Sequence, residues 1–414
     1  MRATKSGFLF CIVLLALCEA TSEENWTQFR GQTGQGHSDA INVPMRWSET
    51  QNVKWKTAIG GQGFSSPAVL NKQIWLTSAF NNGRSLHAIC VDRDSGRIVH
   101  DVEVFTVEAP QFTHAVNSHA SPSPIVENGR VFMHFGTAGT ACLSTDTAKI
   151  LWTNRKLKID HQVGAGSSPV VWRDKLIIPC DGIDEQYLVA LNVSNGRVEW
   201  KTPRSASPHP NPSQRKAFST PLVIQVKGQE QVVTPAAHHL YAYDPQSGRE
   251  LWHARYNGYS TVSRPVFDGE RLYISTGFDQ AELCAFRADG AGDVSASHLA
   301  WIYKKQVSQK PSLLLVGARL YMVSDGGIAT CMEAETGRAI WQERLGGEYS
   351  ASPLFAAGRI HFFNQQGLAT IIEPGDTLKI LATNQLDGAF MASPAVTGKS
   401  LILRTKTHLY RIEE

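Results

Sequence analysis

Three histidines occupy two polar stretches of the chain. His114 and His119 flank Asn117, and His161 lies further along. Three imidazoles can hold zinc and leave a fourth position open for water, which is the arrangement of a hydrolytic metal site. The three histidines here lack a recognised ligand spacing, so we predict no bound metal. We treat them, together with Asn117, as candidate ligand-binding residues.

Aspartates, cations and tyrosines extend this candidate set. A carboxylate beside a ligand can act as a general base, although Asp also caps turns by bonding to nearby backbone amides. Arginine and lysine beside aromatic rings suit an anionic or sugar-like ligand. The further candidates are Asp181, Asp184, Asp279 and Asp325 among the acids, Arg264 and Lys304 among the cations, and Tyr259 and Tyr349.

A repeated pattern must position these residues. A small or hydroxyl residue, then proline, then alternating apolar residues recur every 40 to 57 residues, and such a period is typical of propellers and solenoids. Most copies continue through a short turn into a second apolar run, which indicates a β-hairpin. The copies begin at Ser66, Ser123, Ser168, Thr220, Arg264, Ser312, Ser352 and Ser393, and the copy at Ser312 has lost the proline.

A second block completes each repeat. It reads small residue, any residue, Asp-like residue, turn, glycine, three residues, tryptophan, and it is plainest from Ala242 to Trp252. Each repeat then supplies four short strands, which is the content of one propeller blade. We expect the aromatic rings of this block to pack between neighbouring blades. The tryptophan position falls at Trp55, His100, Trp152, Trp200, Trp252, Trp301, Trp341 and Leu381.

The two ends of the repeat array are incomplete. Trp55 precedes the first serine–proline copy, and the last copy ends without a tryptophan. The sequence therefore predicts an all-β, eight-bladed propeller of four-stranded antiparallel blades over residues 53–414. Pairing of residues 53–58 with residues 391–412 would close the ring and remove free sheet edges. Residues 21–52 are predicted to be an N-terminal extension that packs on the propeller.

Strand order separates two faces of such a disc. Turns joining strands one to two and three to four lie on one face, and here they are short and rich in glycine. Connections between strands two and three, and between blades, lie on the opposite face and are long and chemically varied. Because functional residues concentrate on loops that a rigid scaffold presents, we predict the site on this second face. We name the two the hairpin-turn face and the loop-rich face.

The N-terminus predicts export. An apolar run over residues 7–17 follows two basic residues and is too short to cross a bilayer of about 30 Å. Residues 1–20 are therefore predicted to be a signal peptide that is cleaved near Ala20, and lipidation at Cys18 is the alternative. The mature chain would lie in the periplasm, in the cell envelope or outside the cell.

Composition bounds the partners. The chain carries 40 basic and 37 acidic residues, interspersed along its length, so nothing indicates nucleic-acid binding. No second apolar stretch is long enough to span a membrane, and we expect a monomer without a transmembrane segment in the mature chain.

The second block is also where the chain resembles a known family. Over residues 53–414 it resembles the pyrroloquinoline-quinone-like (PQQ-like) propeller repeat family, whose docking motif between blades is the block from Ala242 to Trp252. Residues 26–36, 164–169 and 346–353 look like an exported, planctomycete-type branch, and that resemblance implies no assigned reaction. A second branch looks like the lipoprotein that assists β-barrel insertion in the outer membrane, which implies partner binding through loops.

Quinoprotein dehydrogenases in this family imply a different function. They stack the quinone on a disulfide of two adjacent cysteines, coordinate calcium and use an Asp base. This chain has no adjacent cysteine pair, and no motif carries the base onto any of its four candidate aspartates. We therefore expect a binding or scaffold module without a cofactor, which recognises an envelope protein or glycan. The alternative is an enzyme, either a dehydrogenase with PQQ and calcium or a carbohydrate-active protein.

Overall fold

The structure, a computed structural model, describes residues 25–414, and the predicted signal peptide with its cleavage site lies outside them. In residues 53–414 the chain forms eight separate sheets, each built on four antiparallel strands. This confirms the predicted all-β, eight-bladed propeller. Within residues 25–414 no helix is long and apolar enough to cross a membrane. Short 3-10 turns lie at Asn81–Gly83, Gly136–Ala138 and Pro212–Gln214.

We number the blades along the chain from the first complete sheet, and each blade runs from its innermost strand outwards. Blade 1 consists of Ala68–Leu70, Gln73–Phe80, Ser85–Asp92 and Ile98–Thr106, and blade 2 of Ile125–Glu127, Arg130–His134, Thr140–Ser144 and Ile150–Asn154. Blade 3 consists of Val170–Trp172, Lys175–Asp181, Gln186–Asn192 and Val198–Pro203, and blade 4 of Leu222–Val226, Gln229–Pro235, His239–Tyr243 and Glu250–Arg255. Blade 5 consists of Val266–Phe267, Arg271–Ser275, Leu283–Arg287 and Leu299–Tyr303, and blade 6 of Leu314–Val316, Arg319–Val323, Ile328–Glu333 and Ala339–Arg344. Blade 7 consists of Leu354–Ala356, Arg359–Phe363, Leu368–Glu373 and Lys379–Gln385, and blade 8 of Ala395–Thr397, Ser400–Arg404, His408–Ile412 and Val53–Ala58.

Blade 8 closes the ring as predicted from the incomplete ends. Val53–Ala58 pairs antiparallel with His408–Ile412, and Lys56 stands opposite Tyr410. Because the first strand of the propeller is the outer strand of the last blade, both ends of the array are held by backbone hydrogen bonds. No blade in the described chain is left as an open end.

Five of the outer-strand tryptophans within residues 25–414 bond to the next blade. Trp55 donates its indole N–H to the carbonyl of Arg93 at 2.8 Å, and Trp152 donates to Val193 at 2.9 Å. The ring also covers the glycine of the neighbouring turn: a Cβ at Gly96 would lie 2.6 Å from Trp55. This explains the spacing of glycine and tryptophan in the repeat. Trp252 differs, because it bonds Gln231 of its own blade.

Blade 4 carries an additional strand that the repeat does not predict. Gly292–Asp293 pairs in parallel with Glu250–Arg255 on the outer edge of this blade. The added strand comes from the turn between the third and fourth strands of blade 5, which is longer than the corresponding turns of the other blades. The extra length lets this turn reach across to its neighbour and cover part of its edge.

The hydrophobic core consists of layers between adjacent blades. Seven clusters of buried apolar side chains fill these layers. The five cysteines of residues 25–414 are all free and buried in them. Burial raises the pKa of the Cys90 thiol to about 12, so this group packs as a small apolar side chain rather than a nucleophile.

Candidate functional site

A ring of hydroxyl groups surrounds the central channel at the start of the innermost strands. The backbone N–H of one blade donates to the hydroxyl of the next, for example from Ser66 to Ser123 at 2.9 Å. The same bond continues from Ser123 to Ser168, Ser168 to Thr220, Arg264 to Ser312, Ser312 to Ser352, Ser352 to Ser393, and Ser393 back to Ser66, at 2.9 to 3.0 Å. The hydroxyl residue of the repeat therefore links blades.

The ring is interrupted at blade 5, where Arg264 replaces the hydroxyl residue. Its guanidinium is buried and donates to the backbone carbonyls of Pro221 at 3.0 Å and Phe29 at 2.5 Å. A third contact reaches the side chain of Gln28 at 3.3 Å. Arg264, which the sequence suggested as a ligand-facing cation, thus holds the segment before the first blade.

That segment, residues 25–52, crosses the hairpin-turn face and joins several blades. Trp26 pairs with Val69 of blade 1 through both backbone hydrogen bonds. Arg30, also buried, donates to the carbonyl of Leu313 at 2.6 Å, where blade 6 has lost the proline of the repeat. Gly34 packs so closely on Arg264 that a Cβ there would lie 2.3 Å from the guanidinium.

Burial lowers the pKa of both Arg30 and Arg264 to about 9. Both guanidinium groups therefore remain protonated at neutral pH. Their acceptors are neutral oxygens, and neither forms an ion pair within residues 25–414. The hairpin-turn face is thereby closed by chain that two buried cations fix in place.

Three cavities are lined by residues of the loop-rich face. The first, which we call the funnel, has a volume of about 500 Å³ and lies over the hydroxyl ring, with Phe29 among its lining residues. The second, the cleft, has about 860 Å³ and is lined by blades 3, 4 and 5. The third, the small cavity, has about 140 Å³ and lies against blades 1 and 2.

Four of the predicted site residues line the funnel: His114, Asn117, Tyr259 and Asp325. The Asn117 amide donates to the carbonyls of Val163 at 3.0 Å and Ala165 at 3.2 Å. Asp325 accepts from the backbone N–H groups of Gln309 and Lys310. It also forms an ion pair with the Lys310 ammonium at 3.1 Å.

The other predicted residues lie elsewhere. His119 and His161 line the small cavity, and burial lowers the pKa of His161 to about 4. Because His114 lies on the funnel instead, the three histidines do not share one cavity. No group of three His, Cys, Asp or Glu suited to a metal occurs among the described residues.

The remaining candidates are held in contacts of their own. Asp181 lines the cleft and forms a buried ion pair with Arg204 at 2.6 Å. Lys304 pairs with Glu282 at 2.7 Å. Tyr349 is fully buried between blades 6 and 7. Asp184 and Asp279 are exposed, and Asp184 accepts from the backbone N–H of Asp160 at 2.8 Å.

Comparison with known proteins places the chain in a family. A family model described as outer membrane protein assembly factor BamB matches residues 88–236 and 217–414. Together these ranges cover well over half of the chain. The chain belongs to this family. The match confirms the resemblance to PQQ-like propellers.

A curated relative, the outer membrane protein assembly factor BamB of Legionella pneumophila (strain Paris), is 26% identical over 194 residues. The aligned part is 46% of this chain and 49% of the relative. The match therefore spans about half of the length of that protein.

Solved structures share the fold at low identity. BamB from Moraxella catarrhalis superposes with a TM-score of 0.60 and 12% identity over 87% of this chain and 99% of that one. Quinohemoprotein alcohol dehydrogenase from Comamonas testosteroni superposes with a TM-score of 0.64 and 11% identity. The superposition covers 94% of this chain and 80% of that one. At this identity the likeness shows the architecture alone.

The funnel does not offer the donors that a quinone with calcium requires. Calcium takes six to eight oxygen ligands, several of them from carboxylates. Asp325 is the one carboxylate among the described residues that line the funnel. Its oxygens already accept two backbone N–H groups and face the Lys310 ammonium. This member of the BamB family therefore lacks a fitting set of calcium ligands in its channel.

Several cavity residues are absent from the sequence-based candidates. Lys216 and Phe278 line the funnel, and Arg204, His209 and Arg215 line the cleft. Loop length is the signal that points to most of them. The two longest connections between blades follow blade 1 and blade 3, and the second of these supplies Arg204, His209, Arg215 and Lys216.

Proposed function

We propose that this member of the BamB family is an exported, non-catalytic propeller that binds a protein of the cell envelope through its loop-rich face. Export rests on the apolar N-terminus, which lies outside the described residues. The family name, outer membrane protein assembly factor, is consistent with a binding or scaffold role.

The observation that supports a non-catalytic role is that the carboxylates around the cavities are paired with cations. Within residues 25–414, three of them line the funnel, the cleft or the small cavity, and each is paired with a cation: Asp325 with Lys310, Asp181 with Arg204, and Glu282 with Lys304. A carboxyl group that serves as a general acid or base must be free to exchange a proton with a substrate. These ion pairs leave no such group on the cavity walls.

Exposed apolar side chains on the loops support binding of a protein. Phe278 is 56% exposed and Val116 is 49% exposed, and both line the funnel. Phe112, on the same connection as Val116, is 68% exposed. Aromatic and large apolar side chains that stand in solvent around a concave surface are typical of the centre of a protein interface.

Paired variants test this role. Phe278→Ser and Val116→Ser remove apolar contacts at the funnel, whereas Leu151→Ser and Val99→Ser remove side chains of similar exposure from outer strands. The purified variants would be immobilised and incubated with an envelope extract of the source organism, and bound proteins would be quantified by mass spectrometry.

We expect at least one protein to be retained by the unaltered chain and by both outer-strand variants. The funnel variants should retain about tenfold less of it, which is about 1.4 kcal/mol of binding free energy. Equal retention by all four variants, or equal loss from all four, would contradict a partner contact at the funnel.

A further inference from the structure

The cleft is larger than the funnel and the small cavity, and the proposed partner contact does not use it. Residues of three consecutive blades and of the connection before blade 4 form its walls. Its volume of about 860 Å³ lies within the range of small-molecule sites. The polar side chains that line it include Arg204, His209, Arg215, His238, Tyr241 and Arg255.

The cleft carries positive charge that no carboxylate of residues 25–414 balances. Its two carboxylates form ion pairs, Asp181 with Arg204 and Glu282 with Lys304. Arg215 and Arg255 make no ion pair, and Arg255 is exposed. Two unpaired guanidinium groups lining the same cleft favour an oxyanion, because the planar fork of arginine matches carboxylate and phosphate oxygens.

Arg215 is fixed in its position by the loop that carries it. Its guanidinium donates to the carbonyls of His209 at 2.6 Å, Pro210 at 3.2 Å and Ile183 at 3.5 Å. These acceptors are neutral, so the charge of Arg215 is retained while its orientation is set. A cation held in this way loses little side-chain entropy when an anion binds.

Two histidines add a flat surface beside these charges. The rings of His209 and His238 stack with centroids 5.0 Å apart and an interplanar angle of 24°. Burial and the neighbouring His209 lower the pKa of His238, so its ring is neutral at pH 7. Aromatic faces of this kind accommodate the apolar face of a ring-shaped ligand.

His238 also shows two signs of a ligand site. Its backbone has φ of +61°, a left-handed conformation that costs energy in residues other than glycine and concentrates at functional sites. Its Nε2 atom is buried and has no hydrogen-bond partner among the described residues. An unmet polar atom of this type costs about 1–3 kcal/mol.

We propose that the cleft binds an anionic sugar, that is, a sugar ring bearing a phosphate or a carboxylate. Arg215 and Arg255 would take the oxyanion, and the stacked pair His209 and His238 would lie against the ring. This site is separate from the partner contact at the funnel, and either can exist without the other.

Titration calorimetry on the purified full-length protein tests the proposal with four probes: glucose 6-phosphate, glucuronate, glucose and inorganic phosphate. We expect binding of glucose 6-phosphate, glucuronate or both, and the comparison of these two shows which oxyanion is preferred. Glucose and inorganic phosphate should bind at least tenfold more weakly, because each lacks one half of the ligand. Affinity should fall with added salt.

Variants locate the binding. Arg255→Gln should lower the affinity for the anionic sugar about tenfold, which corresponds to the loss of one charge-assisted hydrogen bond. His238→Asn should also weaken binding of the sugar. Asparagine tolerates the left-handed backbone at this position, so the fold is kept. Arg97→Gln, an exposed arginine of blade 1 outside the cavities, is the matched control and should bind as the unaltered chain does.

Three results would overturn the proposal. They are the absence of binding for both anionic sugars, equal affinity for inorganic phosphate and glucose 6-phosphate, and equal affinity of the Arg255→Gln and Arg97→Gln variants. None of them bears on envelope-protein retention by the funnel variants, so a failure of this site is distinguishable from a failure of the partner contact.

Discussion

The two faces of the propeller are built by the same eight repeats and differ in what has been added to them. On the hairpin-turn face, glycines such as Gly129 and Gly317 have positive φ, and a Cβ there would meet no other atom. They serve turn geometry alone. On the loop-rich face, long connections surround three cavities. The repeat therefore supplies the scaffold, and departures from the repeat supply specific contacts.

Departures from the repeat have opposite effects on the two faces. Inside the channel, Arg264 replaces a ring hydroxyl and Leu313 replaces a proline, and both receive the N-terminal segment that crosses the hairpin-turn face. Those two changes close the channel at that side. At the loop-rich face, longer connections bring Lys216, Arg215 and Phe278 to open cavities. A residue that departs from the repeat has a structural role where it is buried and its hydrogen bonds are made. Where it lines an open cavity, it is available to a ligand.

Removing the cation that holds the N-terminal segment should have the largest effect on stability. We expect Arg264→Met to lower the free energy of unfolding by at least about 2 kcal/mol, because the buried carbonyl of Pro221 and the part-buried carbonyl of Phe29 lose their donor at about 1–3 kcal/mol each. Urea unfolding measures this loss. Trypsin should then cleave after Arg30, which is buried in the intact structure.

A second arginine of the same blade provides the control. Arg271 is part-exposed, and its ion pair with Asp268 is 3.8 Å long, so Arg271→Met should change stability by less than about 1 kcal/mol. If Arg264→Met unfolded at the same urea concentration as this control and still resisted trypsin at Arg30, the segment would not be held as described.

Acid should weaken the loop-rich side of blade 2 by a smaller amount. His134 is buried, and its Nδ1 lies 2.8 Å from the Thr140 hydroxyl. Burial and the nearby His161 lower the pKa of His134 to about 3. Between pH 6.5 and 3 the unfolded chain therefore binds a proton that the folded chain excludes, and stability falls as the pH falls. At pH 5 the loss is about 2 kcal/mol.

The variant His134→Gln isolates this contribution. Glutamine can still bond the Thr140 hydroxyl but does not titrate. Urea unfolding at pH 7.5 and pH 5 should show that the unaltered chain loses about 2 kcal/mol more than the variant does. Equal losses in the two proteins would show that His134 is not excluded from protonation by the fold.

The fold was predictable from the sequence because the repeat encodes local rules. Proline, turn glycine and tryptophan recur at fixed spacings, and each has one structural role, as the contact between Trp55 and the turn at Gly96 illustrates. The face that carries the cavities followed from strand order. The incomplete ends likewise predicted how Val53–Ala58 pairs.

The site was less predictable, because side-chain contacts across blades have no local signature. Arg264 looked like a ligand-facing cation in the sequence, but its partners Phe29 and Gln28 lie more than two hundred residues away in the chain. Asp181 was a candidate base, yet Arg204 pairs with it. His114 and His161 lie on different cavities, since their loops belong to different blade interfaces.

Site-specific photo-crosslinking on one blade tests whether the loop-rich face binds the partner. Phe278 and Glu270 are both exposed residues of blade 5 and lie on opposite faces. Benzoylphenylalanine would replace each in turn, and crosslinked products would be identified after irradiation in the envelope extract. We expect a specific protein adduct from position 278 and none from position 270. An adduct from position 270 alone would contradict the claim that the loop-rich face binds the partner.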